Sequence, residues 1–274
     1  MPLAILLGKL LGWNLRYVFR YRRQQIKKNL DLAFGINKWD RDLERKIYQH
    51  FGLLIVELLS YPKKSIEQAS KETTVHDYAV LEEALRLGKG AIIVTGHFGH
   101  WEQAIASVAN VGHEVGVVVK SLRGVDNEFM FKEIRGNKNV VSILKDKAAV
   151  EIFRMLKRGG VVCMVIDQHA KSTESTKVNF FGEECSTYAA PALFAARSGA
   201  PIIPGIAWRD EDLRSYHIKF LEALMIEKDE KTAEDIQSNT QKMLDAIELE
   251  LRKKPEDWIW MHDRWKKERK KRKK

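Results

Sequence analysis

Short runs rich in β-branched residues alternate with longer helical stretches through the middle of the chain. The runs are AIIVT at 91–95, VGVVV at 115–119, VVSIL at 140–144, VVCMVID at 161–167 and APIIPGIAW at 200–208. Segments with helical periodicity separate them, near 100–110, 126–135, 146–158 and 189–199. This alternation is typical of βαβ units around a parallel sheet. We therefore predict a single α/β domain with a mostly parallel central sheet flanked by helices.

The same patterns suggest where the domain begins and ends. A further strand at 215–222 and a long helix at about 231–253 complete it, so we assign residues 75–263 to the α/β domain. Residues 1–74 read as a helical region, because 40–60 carries apolar residues at helical spacing up to Pro62. Residues 264–274 form a basic tail.

The positive charge is concentrated at the two ends of the chain. Of 274 residues, 47 are Lys or Arg and 37 are Asp or Glu, which gives a net charge of +10. Residues 1–30 carry +7 without one acidic residue, and 264–274 carry +8, so the 233 residues between them carry −5. Basic ends of this kind bind nucleic acid or an anionic membrane surface. Composition alone leaves both partners open.

The N-terminal segment has the pattern of an amphipathic helix. Lys9 and Arg16 interrupt its apolar run, so a spanning helix is not expected, and the order of charge and apolar residues is the reverse of a signal peptide. Apolar and aromatic residues recur at helical spacing: Leu3, Leu6, Leu7, Leu10, Leu11, Trp13, Tyr17 and Val18. The segment therefore reads either as an in-plane helix on an anionic bilayer or as a helix packed on the domain with a solvated basic end.

Two cysteines provide no disulfide framework. Cys163 lies in an apolar run and Cys185 in a polar segment that we expect to be a loop. Free thiols in this number are consistent with a reducing compartment.

The segment GAIIVTGHFGHWEQAIASVA, residues 90–109, carries the candidate catalytic pair. His97 lies on the turn after a predicted strand, and Glu102 lies five residues later in the first turn of a helix. The spacing lets the carboxylate orient the imidazole and stabilise its protonated form, as the acid does in a Ser-His-Asp triad. Gly96 and Gly99 are expected to leave room for substrate, and the helix N-terminus offers amide donors to an oxyanion.

The absence of a recognisable nucleophile motif favours direct transfer of the acyl group. The chain lacks G-x-S-x-G, a Walker loop, G-x-G-x-x-G and C-x-x-C. A His–Glu pair without a partnered Ser or Cys favours attack by an incoming hydroxyl over a covalent acyl-enzyme. Two alternatives stay open: His97 as an ordinary loop histidine, or a metal site built from His97, His100 and Glu102 with Asp167 and His169.

These residues resemble the H-x4-(D/E) motif of glycerolipid acyltransferases and, more narrowly, the bacterial lipid A biosynthesis (late, HtrB-like) acyltransferase family. The resemblance covers nearly the whole chain. It rests on RRQQIKKNLDLAFG at 22–35, TGHFGHWE at 95–102, EIRGNKNVV at 133–141, VIDQHAK at 165–171, VNFFGEECSTYAAPALFAARSGAPIIPG at 178–205 and PEDWIWMHDRWK at 255–266.

The resemblance implies a role for each matching residue. His97 and Glu102 correspond to the catalytic pair. Arg135, beside Asn137, would bind an anionic group or stabilise the oxyanion. Asp167 would organise Arg135 or a substrate hydroxyl, with a simple turn residue as the alternative. The F-F-G loop, with Phe181 and Gly182, would line the acyl or acceptor pocket, and core packing is the other interpretation.

The implied reaction is transfer of a fatty acyl chain from an acyl carrier protein or CoA thioester to a hydroxyl of a lipid A precursor or related glycolipid. No metal or redox cofactor is implied. Related enzymes acylate phosphatidylinositol mannosides, which is the alternative acceptor. The expected location is the cytoplasmic face of the inner membrane, with peripheral or monotopic attachment and no nucleic-acid partner. A basic nucleic-acid-binding protein and a lipid-binding protein without catalysis remain the competing hypotheses.

Overall fold

The β-branched runs form the strands of a seven-stranded sheet in a computed structural model of the chain. The structure describes residues 2–119, 140–144, 148–171, 175–226 and 232–266. The described strands are β1 (Thr73–His76), β2 (Ala91–Thr95), β3 (Val115–Val119), β4 (Val140–Leu144), β5 (Val161–Val165), β6 (Ser175–Phe180), β7 (Glu183–Tyr188), β8 (Ile202–Arg209) and β9 (Tyr216–Phe220).

The sheet is mostly parallel, as predicted. Its order is β1-β9-β8-β2-β5-β3-β4, and β8 with β9 is the antiparallel pair. β2 lies at the centre between β5 and β8. Its residues Ala91 to Val94 are buried, because helices cover both faces of the sheet. The prediction of an α/β domain with a mostly parallel sheet is confirmed.

Helices pack on the two faces of the sheet. They are α1 (Pro2–Tyr17), α2 (Arg23–Phe34), α3 (Arg41–Ser60), α4 (Ile66–Lys71), α5 (Tyr78–Arg86), α6 (Trp101–Asn110), α7 (Ala148–Lys157), α8 (Ala190–Ser198) and α9 (Ala233–Leu251). α5 and α6 bury one face of the sheet, whereas α2, α7, α8, α9 and the tryptophans near the C-terminus bury the other. The predicted helix at 126–135 lies outside the described residues.

The sequence patterns did not predict β1 or the hairpin of β6 and β7. β1 is a four-residue edge strand, too short for a periodicity signal. β6 and β7 form a separate antiparallel hairpin whose two-residue turn is Phe181-Gly182, both with positive φ. The expectation of a polar loop around Cys185 is therefore wrong: Cys185 lies in β7 and is buried together with the next two residues, Ser186 and Thr187. Both cysteines are free.

Helix α1 docks tightly on α3 and still presents apolar side chains to solvent. A Cβ atom on Gly52 would lie 2.3 Å from the carbonyl oxygen of Gly8 and 2.4 Å from the amide nitrogen of Gly12, so the two backbones touch. On the outer side of α1, six large apolar side chains are exposed: Leu3, Leu6, Leu7, Leu10, Trp13 and Tyr17. One face of α1 is therefore packed on the domain, and the other face is apolar and exposed, so attachment to a bilayer stays a prediction. No described helix is long and apolar enough to cross a membrane.

The basic residues near the N-terminus do not all face outward. Arg16 is buried, and its Nη2 lies 2.9 Å from Oε2 of Glu44 on α3. Arg23 contacts the other oxygen of the same carboxylate at 3.1 Å. Arg16 therefore belongs to the α1–α3 interface and not to the basic surface that the charge of residues 1–30 predicts.

The C-terminal segment is also partly internal. Arg264 and Trp265, which we assigned by charge to the tail, are buried against the β6–β7 hairpin. Residues 267–274 lie outside the described residues.

Candidate active site

His97 and Asp167 meet at the carboxyl edge of the parallel sheet. Thr95 at the end of β2 pairs with Val165 at the end of β5, and each of the two polar residues follows two positions later. Nδ1 of His97 lies 2.9 Å from Oδ1 of Asp167, and the His97 amide donates to Oδ2 at 2.8 Å. Such an edge is where α/β folds bind their ligands.

The Asp167 carboxylate is buried and strongly hydrogen-bonded. Its residue is 1% exposed, and besides the two His97 contacts its Oδ2 accepts the indole N–H of Trp258 at 2.7 Å. Burial opposes ionisation, but the charge of His97 and the hydrogen bonds from His97 and Trp258 lower the pKa of Asp167 to about 2. The carboxylate is therefore ionised at neutral pH.

This carboxylate determines the protonation of His97. Burial acts to lower the pKa of His97, but the charge and hydrogen bond of Asp167, together with the charge of Glu102, raise it. Because an ionised carboxylate can only accept a hydrogen bond, Nδ1 of the neutral ring carries the proton and Nε2 keeps its lone pair. The side chain of His97 is 26% exposed, so a substrate can reach the ring.

Glu102 lies in the first turn of α6, as expected, and is buried. Its Oε1 accepts the indole N–H of Trp101 at 3.2 Å. The Trp101 ring in turn packs edge-on against the imidazole of His97, with ring centroids 5.0 Å apart. Glu102 thus acts on His97 through its charge and holds the aromatic ring beside it.

His100, three residues after His97, has a different environment. It is buried, its Nδ1 accepts the amide of Gln103 at the start of α6, and burial lowers its pKa to about 4. It is a neutral helix cap. Within the described ranges, no three His, Cys, Asp or Glu side chains converge so that they could hold a metal ion.

Protein atoms fill the space beside both glycines of the motif. A Cβ on Gly96 would lie 2.4 Å from the Phe98 ring and 2.9 Å from Cβ of Asp167, and Gly99 has a φ of +50° against the backbone of β8. The expectation that these glycines leave room for substrate is therefore wrong: Gly96 allows Asp167 to approach His97. The Gly99 amide donates to the carbonyl of Asp257, so it is not a free oxyanion donor.

An apolar cavity begins beside this pair. It lies between α6 and the sheet, and its empty space, including the mouth, is about 440 Å³. Thr95 and Trp101 line it near His97. The remaining lining is Ile93, Ala104, Ile105, Val108, Val115, Cys163, Gly205, Ile206, Ala207, Ile218 and Phe220. Its apolar lining is typical of a pocket for a hydrophobic ligand.

Two predicted binding residues, Phe181 and Gly182, lie away from the apolar cavity. Phe181 is buried among aromatic rings, with Phe34 at 5.5 Å and Trp260 at 6.0 Å, and Gly182 completes the hairpin turn. Neither lines the apolar cavity, so the packing interpretation accounts for Phe181. Arg135 and Asn137 lie outside the described residues.

Two contacts of the site are not predicted by the sequence. The sequence predicts a role for Asp167 toward Arg135 or substrate, whereas the structure pairs Asp167 with His97 and adds a contact from Trp258 to Asp167. Both His97 and Asp167 follow the ends of predicted strands, which places them at the same edge of the sheet, but β2 and β5 are not consecutive in the chain and only the topology makes them neighbours. Trp258 is 91 residues from Asp167, and no local pattern connects them.

A histidine–aspartate pair at the sheet edge beside an apolar cavity is typical of α/β enzymes that act on hydrophobic substrates. Comparison with known proteins defines it further: the sequence model of the bacterial lipid A biosynthesis acyltransferase family matches residues 1–267, and the chain belongs to this family. It is an acyltransferase of lipids, and the resemblance inferred from its motifs is confirmed.

Individual relatives are more distant. The chain is 23% identical over 272 residues to a phosphatidylinositol mannoside acyltransferase of Mycolicibacterium smegmatis, covering 97% of this chain and 86% of the relative. A protein of the same name from Mycobacterium tuberculosis H37Rv is 24% identical over 189 residues, 68% of this chain and 57% of its own length. The crystal structure of the 1-acyl-sn-glycerophosphate acyltransferase PlsC from Thermotoga maritima aligns over 90% of this chain and 97% of its own, with 14% identity and a TM-score of 0.41.

Proposed function

We propose that the protein transfers a fatty acyl chain from a thioester to a hydroxyl group of a glycolipid, with His97 as the general base. The observation that carries this proposal is the state of the imidazole. Its Nδ1 is held by an ionised Asp167, and its Nε2 keeps a lone pair, which the side-chain amide of Gln168 approaches at 3.4 Å and which an acceptor hydroxyl would take over. The donor is an acyl carrier protein or CoA thioester, since the reaction needs an activated carbonyl and the chain belongs to an acyltransferase family.

The proposed reaction proceeds without an acyl-enzyme. Nε2 of His97 takes the proton of the acceptor hydroxyl as its oxygen attacks the thioester carbonyl. The tetrahedral intermediate then expels the thiolate, which takes the proton back from the imidazolium. Asp167 stabilises the imidazolium that exists between the two steps, and the charge of Glu102 adds to this effect. Arg135, as the family resemblance implies, would stabilise the oxyanion.

The apolar cavity is the proposed site of the acyl chain. Thr95 and Trp101 line it, and Trp101 touches His97, so a chain inside it would hold the thioester carbonyl near the base. Ile105, Val108 and Phe220 are among the side chains that surround it. Its lining excludes water from the hydrocarbon and provides the free energy of binding by burying apolar surface.

For the acceptor we propose a phosphorylated glycolipid, with a lipid A precursor as the first candidate and a phosphatidylinositol mannoside as the alternative. The family is named for the first, and the relatives compared above are named for the second. Arg135 would bind the anionic group of either lipid.

We also propose that α1 attaches the enzyme to the anionic cytoplasmic face of the inner membrane. Its exposed apolar row would enter the bilayer interface, with the Trp13 and Tyr17 rings at head-group level. Exposed Lys9, Arg20 and Arg22 would contact lipid phosphates. Attachment of this kind brings the site to a lipid acceptor without a spanning helix.

Lipid mass spectrometry of a strain lacking the gene tests the reaction. Complementation with the wild type should restore the mass of one acyl chain on one lipid class, and that class identifies the acceptor. His97→Ala should fail to complement because it removes the base. His113 is hydrogen-bonded to Tyr78 away from the site, so His113→Ala should complement fully. Acyl transfer by purified His97→Ala at the wild-type rate would falsify the mechanism.

A further inference from the structure

Trp258 lies directly behind the histidine–aspartate pair. Its side chain is buried, with a residue exposure of 2%, and its indole Nε1 is 2.7 Å from Oδ2 of Asp167. The same oxygen accepts the backbone amide of His97 at 2.8 Å. Oδ1 therefore faces Nδ1 of His97, at 2.9 Å.

These three contacts fix the orientation of a side chain that otherwise rotates easily. The last torsion of an aspartate is broad, so packing alone does not select which oxygen meets a neighbour. An indole N–H can only donate, and it bonds an ionised carboxylate more strongly than a neutral carboxyl group. Without this donor, the buried Oδ2 would keep only the His97 amide.

Trp258 is itself held by the loop that carries His97. Its backbone forms an antiparallel bridge with Phe98, and the carbonyl of the preceding Asp257 accepts the amide of Gly99 at 3.0 Å. The Asp257 carboxylate accepts the amide of Arg209 at 3.0 Å, which ties the segment to β8. The indole ring packs against Trp260 at 4.7 Å. The donor is thus fixed relative to both members of the pair.

We propose that Trp258 is a positioning residue for acyl transfer, whose indole N–H fixes the Asp167 carboxylate so that Oδ1 holds His97 in its reactive orientation. It is buried beneath the pair and acts only through Asp167. This proposal rests on the proposed function of His97 as the base.

The test compares Trp258→Phe with Trp39→Phe. Each variant loses one indole N–H that donates to a carboxylate and keeps a ring, but the N–H of Trp39 donates to Asp31 and not to Asp167. Trp258→Phe should lower kcat about ten- to a hundredfold with KM unchanged, because a small misplacement of a catalytic group costs this much. Trp39→Phe should leave kcat within about twofold of the wild type.

A double-mutant cycle separates positioning from a general loss of structure. In an Asp167→Ala background, Trp258→Phe should cause no further loss of kcat, because the carboxylate it positions is gone. An equal loss in both backgrounds, or an equal loss from Trp39→Phe, would overturn the proposal. If His97→Ala is inactive and Trp258→Phe is fully active, only the positioning role fails; activity of His97→Ala is what removes the proposed function.

A spectroscopic measurement keeps the proposal testable if Trp258→Phe does not fold. The indole N–H resonance of Trp258 in ¹⁵N-labelled protein should lie downfield in the wild type and move upfield in Asp167→Ala, while that of Trp260 stays in place. An unchanged Trp258 resonance would show that the hydrogen bond to Asp167 does not form, and would overturn the proposal.

Discussion

The chemistry of the site depends on how one carboxylate is bonded. Asp167 accepts hydrogen bonds from Nδ1 of His97, from the His97 amide and from the Trp258 indole. Its carboxylate is therefore ionised although it is buried. An ionised carboxylate in this position raises the pKa of His97 and stabilises the imidazolium formed during transfer. Glu102 contributes charge and holds Trp101, but Asp167 makes the direct bond to Nδ1.

Asp167→Asn should change the pH dependence of transfer. The base must be neutral, so wild-type kcat/KM should fall as the pH decreases through the raised pKa of His97. With the carboxylate replaced by an amide, burial dominates and the pKa of His97 decreases, so this acidic limb should move to lower pH.

The plateau value of kcat should fall as well, by about 10²- to 10⁴-fold, because the amide stabilises neither the imidazolium nor the correct tautomer. A pH–rate profile of the purified variant measures both effects. Glu102→Gln is the comparison, and its smaller contribution to the pKa should give a smaller shift. A larger loss from Glu102→Gln would return the orienting role to Glu102.

At the scale of elements, α6 serves both the site and the cavity. Its N-terminus is capped by His100 and carries Glu102, and its sheet-facing side lines the apolar cavity with Ala104, Ile105 and Val108. The same helix therefore sets the position of the acidic residue and the width of the apolar cavity, which is the proposed site of the acyl chain.

Ala104→Phe should shift the preference to shorter acyl chains. The larger ring would fill space at the cavity wall, so long chains should lose kcat/KM while the shortest accepted donors lose little. Competition between thioester donors of different chain lengths measures the effect. Val111→Phe, at an exposed position just beyond the C-terminus of α6, is the matched control and should keep the wild-type preference. An unchanged preference in Ala104→Phe would mean that the chain binds elsewhere.

At the scale of the whole molecule, charge and apolar surface coincide near the N-terminus. α1 is fixed on α3 by direct backbone contact through Gly8, Gly12 and Gly52, so its exposed apolar row is a rigid surface. Exposed basic side chains of α1, α2 and the turn between them lie along the same part of the chain. An exposed apolar row on a helix, with exposed basic residues close to it in the chain, is typical of a membrane interaction site.

Replacing Leu6 and Leu10 together by Gln should release the enzyme from anionic vesicles. Flotation with vesicles containing acidic phospholipid should show binding of the wild type that weakens with salt and a several-fold loss in the double variant, since each change removes apolar burial. Leu249→Gln, which is 64% exposed on α9, should bind normally. Binding of RNA by the wild type without any binding of vesicles would favour the nucleic-acid hypothesis instead.

The sequence by itself determined six of the seven strands of the central sheet, the order of α and β elements in it and the position of His97. Each of these depends on residues close together in the chain: β-branched runs make buried strands, and a helix start after a strand places Glu102 in its first turn. The family also followed from the sequence, because its motifs are contiguous and occur in order.

Only the tertiary structure decided what surrounds His97. Asp167 is 70 residues away and Trp258 a further 91, and they meet because β2 and β5 are neighbours and the C-terminal segment passes behind them. The same is true of Arg16, whose charge is neutralised by Glu44 on another helix. Local patterns report the preference of a segment, whereas the pairing of buried charges depends on which segments the fold brings into contact.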